Sequence, residues 1–360
     1  ATDTIPLAMT VDPQAITAHC DALDERFVRE QVDRFDESYF RRFSAPQIAE
    51  HLRRLSMLSV DHRVETIIRE EPDGGASCTI LAHNRPFLFS LITGALAGTG
   101  YRIDSGDIFT SRPTSAPPRS PGRAPRQPSR HGMPHGRSAS QHRHRPAPRV
   151  IIDHFQGHLP DNLSFDQWAD RFDRVLREVV DRLARNDDKA VAEAKARVNE
   201  LVTQQIRRIE RVDDMSLMPI DISIEQTDDH LTCLRIAATD TPAFLYALST
   251  ALALEGLSIE RVRIGGGEQS VEDELYVVDQ RGQPITSDRA IEQLRFTVLL
   301  TKQFTYQLNH APDPFKALSR FEQMAEDIFK LPEREQWEQM LSNPRAMEKL
   351  AKLLGASDYL

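Results

Sequence analysis

Two short turns carry the residue types best suited to chemistry in this 360-residue chain. One is Asp240-Thr241-Pro242-Ala243-Phe244 and the other is Asn84-Arg85-Pro86-Phe87. Each follows a strand-like run and precedes a run with helical spacing. Backbone N–H groups at a helix start point into such a turn, and the helix dipole favours a carboxylate there. Asp240 is expected to cap its helix, with Pro242 where a missing N–H costs nothing. Gly256-Leu257-Ser258 and Gly100, just past the two helices, complete the candidate site. The competing reading is that both turns merely cap helices.

Other constellations are weaker. His154 and His158, in DHFQGH, have the spacing of a metal pair on a helix. Gly157 and the β-branched run before them argue for a strand end instead. His131, His135, His142 and His144 lie in a Pro- and Arg-rich tract, where metal binding would lack defined geometry. Gly265-Gly266-Gly267-Glu268-Gln269-Ser270 with Glu272-Asp273-Glu274 only mimics a Gly-Ser turn followed by metal-binding acids. No P-loop, HExxH, GxSxG or GxGxxG occurs. Catalysis within these residues is not expected, and no metal ligand is assigned.

The elements that must position the turns are written twice. Sliding Leu81–Asp104 by 156 positions sets Pro86 on Pro242, Ala95-Leu96-Ala97 on Ala251-Leu252-Ala253, Gly100 on Gly256 and Ile103 on Ile259. A match in pattern, turn residues and helix length together marks an internal repeat. Asp-Gly-Gly at 73–75 predicts a hairpin before the first helix. Ser164–Leu183, Ala190–Ile209 and Asp288–Phe304 read as amphipathic helices, and Asn343-Pro344 starts another.

Ser111–Arg149 is a different kind of sequence, rich in Pro and Arg with no Asp or Glu. It is expected to be a disordered, dispensable insertion that leaves Thr110 and Val150 as strand neighbours. The organisation expected is a helical segment at 1–60, a first unit at 61–158 interrupted at 111–149, and a helical connector at 159–217. A second unit at 218–304 and a helical segment at 305–360 follow. The apolar last helix, ending at Leu360, reads as a chain cut before its end.

Hydrophobic content of 40% and charged content of 28% fit a soluble globular protein, and a net charge of −9 makes nucleic acid an unfavoured partner. No apolar run approaches the ~20 residues of a membrane helix. No secretory signal is visible. Cys20, Cys78 and Cys233 are far apart, which fits a reducing cytoplasm and excludes a cysteine zinc module.

Each unit reads as β-α-β-β-α-β, so the expected class is α+β with two ferredoxin-like domains embedded in helices. Thr241-Pro242-Ala243-Phe244-Leu245, Gly256-Leu257-Ser258-Ile259, the run Val271–Asp279 and Gly282-Gln283-Pro284-Ile285 keep the order seen in ACT domains. The second unit resembles the ACT domains that end the PII uridylyltransferases. The tail Leu350–Leu360 is similar to the opening helical part of glutamine synthetase adenylyltransferases. The resemblance implies a regulatory region that binds an amino acid, with glutamine the first guess, between ACT domains paired within the chain or in a homodimer. It implies glutamine synthetase or PII as partners, and Mg with a nucleotide only if a catalytic domain follows. In such domains the ligand turn resembles Asp-x-Pro-Gly. Both turns here lack the glycine: Phe87 is bulky and Ala243 small, which favours the second. A scaffold that dimerises and holds a partner without a ligand is the alternative.

Overall fold

Strands form where β-branched and apolar residues alternate, and helices where Ala and Leu recur every three or four residues. The computed structural model describes residues 13–20, 22–72, 74–113, 148–185, 187–208, 220–239, 241, 243–267, 270–330, 341 and 343–356. Helices α1 (Pro13–Thr17), α2 (Glu25–Val32), α3 (Glu37–Arg42) and α4 (Ala45–Met57) come first. The first repeat is β1 (Val64–Glu70), β2 (Ala76–His83), α5 (Leu88–Gly98), β3 (Arg102–Thr110), β4 (Val150–His158) and α6 (Phe165–Leu183). Helix α7 (Asp188–Ile206) connects it to β5 (Ile220–Gln226), β6 (Thr232–Thr239), α8 (Phe244–Leu254), β7 (Ser258–Ile264), the short β8 (Gly266–Gly267), β9 (Ser270–Val278) and α9 (Asp288–Gln307). Helices α10 (Pro314–Lys330) and α11 (Pro344–Ala356) follow.

The repeat is visible in the backbone. β1, β2 and α5 begin and end 156 residues before β5, β6 and α8. Left-handed residues recur at the same spacing: Gly74 and His230, Phe87 and Ala243, Gly100 and Gly256. Both helices end alike. Tyr101 and Leu257 N–H groups reach back to the carbonyls of Leu96 and Leu252, at 3.0 and 2.9 Å, while Gly100 and Gly256 take the positive φ this closure requires. One expectation is corrected here. Each half runs strand, strand, helix, strand, strand, helix, so its outer strand precedes the first helix instead of closing the unit.

All pairings are antiparallel, in the order β1-β2-β4-β3-β7-β9-β6-β5, with β8 beside β9. The halves meet at β3 and β7, where Asp107 lies opposite Arg263 and Ile108 opposite Val262. Asp107 and Arg263 are repeat equivalents, 156 residues apart. A pseudo-two-fold axis therefore passes between them, and the ladder is a self-complementary interface within one chain. Arg177 Nη1 donates to the Val64 carbonyl (3.2 Å) and Arg295 Nη1 to that of Ile222 (2.9 Å). These side chains occupy carbonyls of the two edge strands, which discourages further strand addition.

One sheet face carries a helix layer with α5 and α8 packed together at its centre. Its core includes Leu91, Leu96, Trp168, Phe172, Leu248, Leu252, Leu294 and Phe304. The other face is treated differently in the two halves. Tyr39, Phe43, Ile48 and Leu52 of α3, α4 and the link between them pack on Ile67, Leu81, Phe109 and Ile152 of the first half. The second half instead bears polar side chains there, with Arg235 paired to Glu225 and Glu274 and Arg263 also paired to Glu274. Among the described residues, no helix is long and apolar enough to cross a membrane.

Thr110 pairs with Ile151, so β3 and β4 are neighbours as expected. The limits expected for the insertion need correction, because its ends belong to the fold. Ser111 is fully buried and its Oγ accepts from the Val150 N–H at 2.9 Å. Arg149 Nε donates to the Ser111 carbonyl at 2.8 Å, and its guanidinium pairs with Glu260. Residues 114–147, including the four expected histidines, lie outside the described residues. Replacing 114–147 by a short Gly-Ser turn is predicted to leave the thermal midpoint within about 2 °C, since loop length has a weak effect on closure. Replacing all of 111–149 should instead cost about 2 kcal/mol through the lost buried bonds. Thermal unfolding of both variants measures the difference.

Candidate functional site

The pseudo-two-fold axis sets each turn against the other half of the molecule. The turn between β6 and α8 faces the end of α5 and the start of β3. Thr241, Ala243, Phe244 and Leu245 line a cleft of about 280 Å³ with Ala97, Gly100, Tyr101, Arg102 and Ile103. The turn between β2 and α5 faces the end of α8 and the start of β7. Asn84, Arg85, Phe87 and Leu88 line a cleft of about 470 Å³ with Ala253, Gly256, Leu257, Ser258 and Ile259. The two linings correspond through the 156-residue shift: Ala243 with Phe87, Ala97 with Ala253, Gly100 with Gly256, Arg102 with Ser258.

The expected site residues are thus brought together, but regrouped. Thr241, Ala243 and Phe244 share a cleft with Gly100. Asn84 and Arg85 share the other with Gly256, Leu257 and Ser258. Asp240 and Pro242 lie outside the described residues. Helix α8 begins at Phe244 and its N-cap is Ala243, in the left-handed region at φ 61°. Phe87 holds the same place before α5 at φ 64°. Neither helix has a side-chain cap. The Phe244 N–H donates to the Thr241 carbonyl at 3.2 Å, so the turn itself satisfies the first donor. The N–H groups of Leu245 and Tyr246, both cleft residues, have no intrahelical acceptor by helix geometry.

Behind the second-half turn lies a charge the sequence reading missed. Lys302 of α9 is fully buried. Its ammonium donates to the Thr239 carbonyl and to Thr241 Oγ1 (3.0 Å), and sits 4.3 Å from the centre of the Phe244 ring. Oxygen acceptors and an aromatic face compensate its burial in part. Across the cleft lies Asp273 of β9, 2% exposed, on the inward side of the strand with Leu275 and Val277. The first cleft is therefore lined by both the start of α8 and the Asp273 carboxyl. Arg102 and Gln205 stand at its wall.

No carboxyl is among the described residues that line the second cleft. Asp153 matches Asp273 but does not line it. Asp153 is fully buried, neither carboxyl oxygen has a hydrogen bond among the described residues, and burial holds its pKa well above the usual carboxylate range. Phe87 occupies the place of Ala243, with the Lys195 ammonium 4.6 Å from its ring centre. Asn84, Arg85, Ser258 and Gln280 are among the polar groups offered instead. Gly256 takes φ 76° there, a conformation that favours glycine.

His154 and His158 lie on β4, as the strand reading required. His154 is buried, its Nδ1 bonded with Thr79 Oγ1 at 2.8 Å, and burial followed by Arg42 depresses its pKa to about 4. No group of three or more His, Cys, Asp or Glu among the described residues could hold a metal ion. No family model matches the chain, and no curated protein matches it.

Lys302 and Asp273 carried sequence signals of a kind not used. Lys302 is a charge within the mostly apolar run of α9, and Asp273 falls at the inward phase of an alternating strand, in line with Leu275 and Val277. The left-handed N-caps were not legible, because alanine and phenylalanine rarely adopt that conformation. Ala243→Gly is predicted to stabilise the protein by about 1 kcal/mol, since glycine removes the strain of a Cβ at positive φ. Phe87→Gly should not, because the lost ring packing offsets the relief. Chemical denaturation of the two variants separates these outcomes.

Proposed function

We propose that this chain is a regulatory module that senses a small amino acid between two ACT-like, ferredoxin-like units. The observation that carries the reading is the first cleft, where the start of α8 and the Asp273 carboxyl line one cavity. A zwitterion placed there sets its carboxylate toward the N-terminus of α8, backed by Lys302, and its ammonium toward Asp273. Arg102 and Gln205 then face its side chain, and Gln205 offers an amide suited to a polar ligand such as glutamine.

The strand order of each half supports the units. Within β1-β2-β4-β3, the strands flanking α5 have β4 between them, and β1 stands where the last strand of a ferredoxin-like unit would stand. The chain supplies that outer strand from the N-terminal side. By the sequence resemblance, the module would belong to a nitrogen-metabolism nucleotidyltransferase, with glutamine synthetase or PII protein as partner and with Mg and nucleotide held elsewhere. The second reading, a scaffold without a ligand, is favoured by the second cleft, where Phe87 replaces the small residue.

Calorimetric titration of glutamine and the other common amino acids tests the reading. Saturable heat is expected in the wild type. Asp273→Asn keeps the shape but removes the ammonium's partner, and should weaken binding about tenfold or more, as for a charged hydrogen bond. Ala97→Phe should abolish binding by filling the cleft. Absence of heat from every amino acid with folded protein would overturn the sensor reading and leave the scaffold.

A further inference from the structure

A buried chain of polar contacts runs from the first cleft to the second, through helices outside the repeat. Tyr246 lines the first cleft and is 1% exposed. Its hydroxyl donates to Asn199 Oδ1 of α7 at 2.7 Å. Asn199 Nδ2 donates onward to Ser319 Oγ (3.2 Å) and Glu322 Oε1 (3.4 Å) of α10. Glu322 Oε2 pairs with Lys195 of α7 at 2.7 Å, with both side chains only 13–14% exposed. Lys195 ends the chain over the Phe87 ring, which lines the second cleft.

We infer that Asn199, Glu322 and Lys195 are positioning residues for both turns, and that they couple the order of one cleft to the order of the other. Each link is directional. Asn199 accepts from Tyr246 only with its carbonyl oxygen toward α8, which turns its amide toward α10. Glu322 shares its two oxygens between Asn199 and Lys195. Rotation of any member unpairs a neighbour in a low-dielectric interior, where such loss is expensive. Tyr246 cannot drift alone, because its ring lies against α5: a Cβ at Gly94 would stand 2.7 Å from Tyr246 Cδ2 and 2.3 Å from Val198 Cγ1. The repeat partners of Tyr246 and Gly94 are Ser90 and Thr250, so this relay exists on one side of the pseudo-two-fold only. Its use in regulation rests on the proposed ligand clefts; the coupling itself does not, and can be measured without ligand.

The test is amide hydrogen exchange on the full chain. Tyr246→Phe removes one hydroxyl and keeps the ring. It should speed exchange about fivefold or more at Leu88 and Leu91, whose N–H groups bond to the Arg85 and Phe87 carbonyls of the distant turn. Reciprocally, Lys195→Met should speed exchange at Phe244 and Ala247, which bond to Thr241 and Ala243. Glu322→Gln should produce both effects. Leu245→Ala, on the same cleft wall but outside the relay, should leave Leu88 and Leu91 unchanged. Changes confined to the mutated helix, or an equal response to Leu245→Ala, would overturn the coupling. Failure of amino-acid binding with these exchange effects intact would count against the sensor reading alone.

Discussion

The structure depends on the four-residue ladder between β3 and β7. Its central pair, Asp107 opposite Arg263, joins two positions that are equivalent in the repeat. A ladder centred on equivalent residues makes the halves meet antiparallel and related by two-fold rotation. The sheet becomes continuous, and α5 and α8 are brought together over the seam. Each β–α turn then faces the far end of the other half's helix. Neither half alone forms either cleft, because each lining takes residues from both.

Symmetry ends with the backbone. Helices α1 to α4 cover one face of the first half, whereas the second half presents Arg235, Arg263 and Glu274 on its corresponding face. Inside, α9 buries the charged Lys302, and α7 packs along α5 more extensively than α10 packs on α8. Two similar frames thereby acquire clefts of different chemistry. One is smaller and includes the Asp273 carboxyl; the other is larger, with an aromatic ring at its helix start. Divergence of this kind falls on side chains that line or back the turns, while the glycines that close the helices stay fixed.

Much of the frame was legible in the sequence. The 156-residue shift, Gly100 and Gly256 as helix stops, and Thr110 beside the strand at 150 follow from turn chemistry and alternation, which are local. The turns were located, but their assembly was not. Regrouping Gly100 with Thr241 and Gly256 with Asn84 needs the pairing of β3 with β7, a contact across more than 150 residues that no local pattern reports. Helix α8 begins after a left-handed alanine, a conformation that its residue type does not announce. The place of the outer strand was not legible, because β1 and β5 precede the first helix in the chain yet complete the sheet where a closing strand would stand.

The most direct test of this account is whether the two halves pair within one chain through β3 and β7. Cysteines placed at Asp107 and Arg263 would sit directly opposite one another, with Cβ atoms about 4.5–5.5 Å apart, close to what a disulfide needs. The native Cys20, Cys78 and Cys233 are buried. Mild oxidation of the Asp107→Cys/Arg263→Cys protein should give an intramolecular disulfide, read by intact mass and by peptide mapping, at any protein concentration. A disulfide-linked dimer whose yield rises with concentration, or two thiols that stay free, would contradict it.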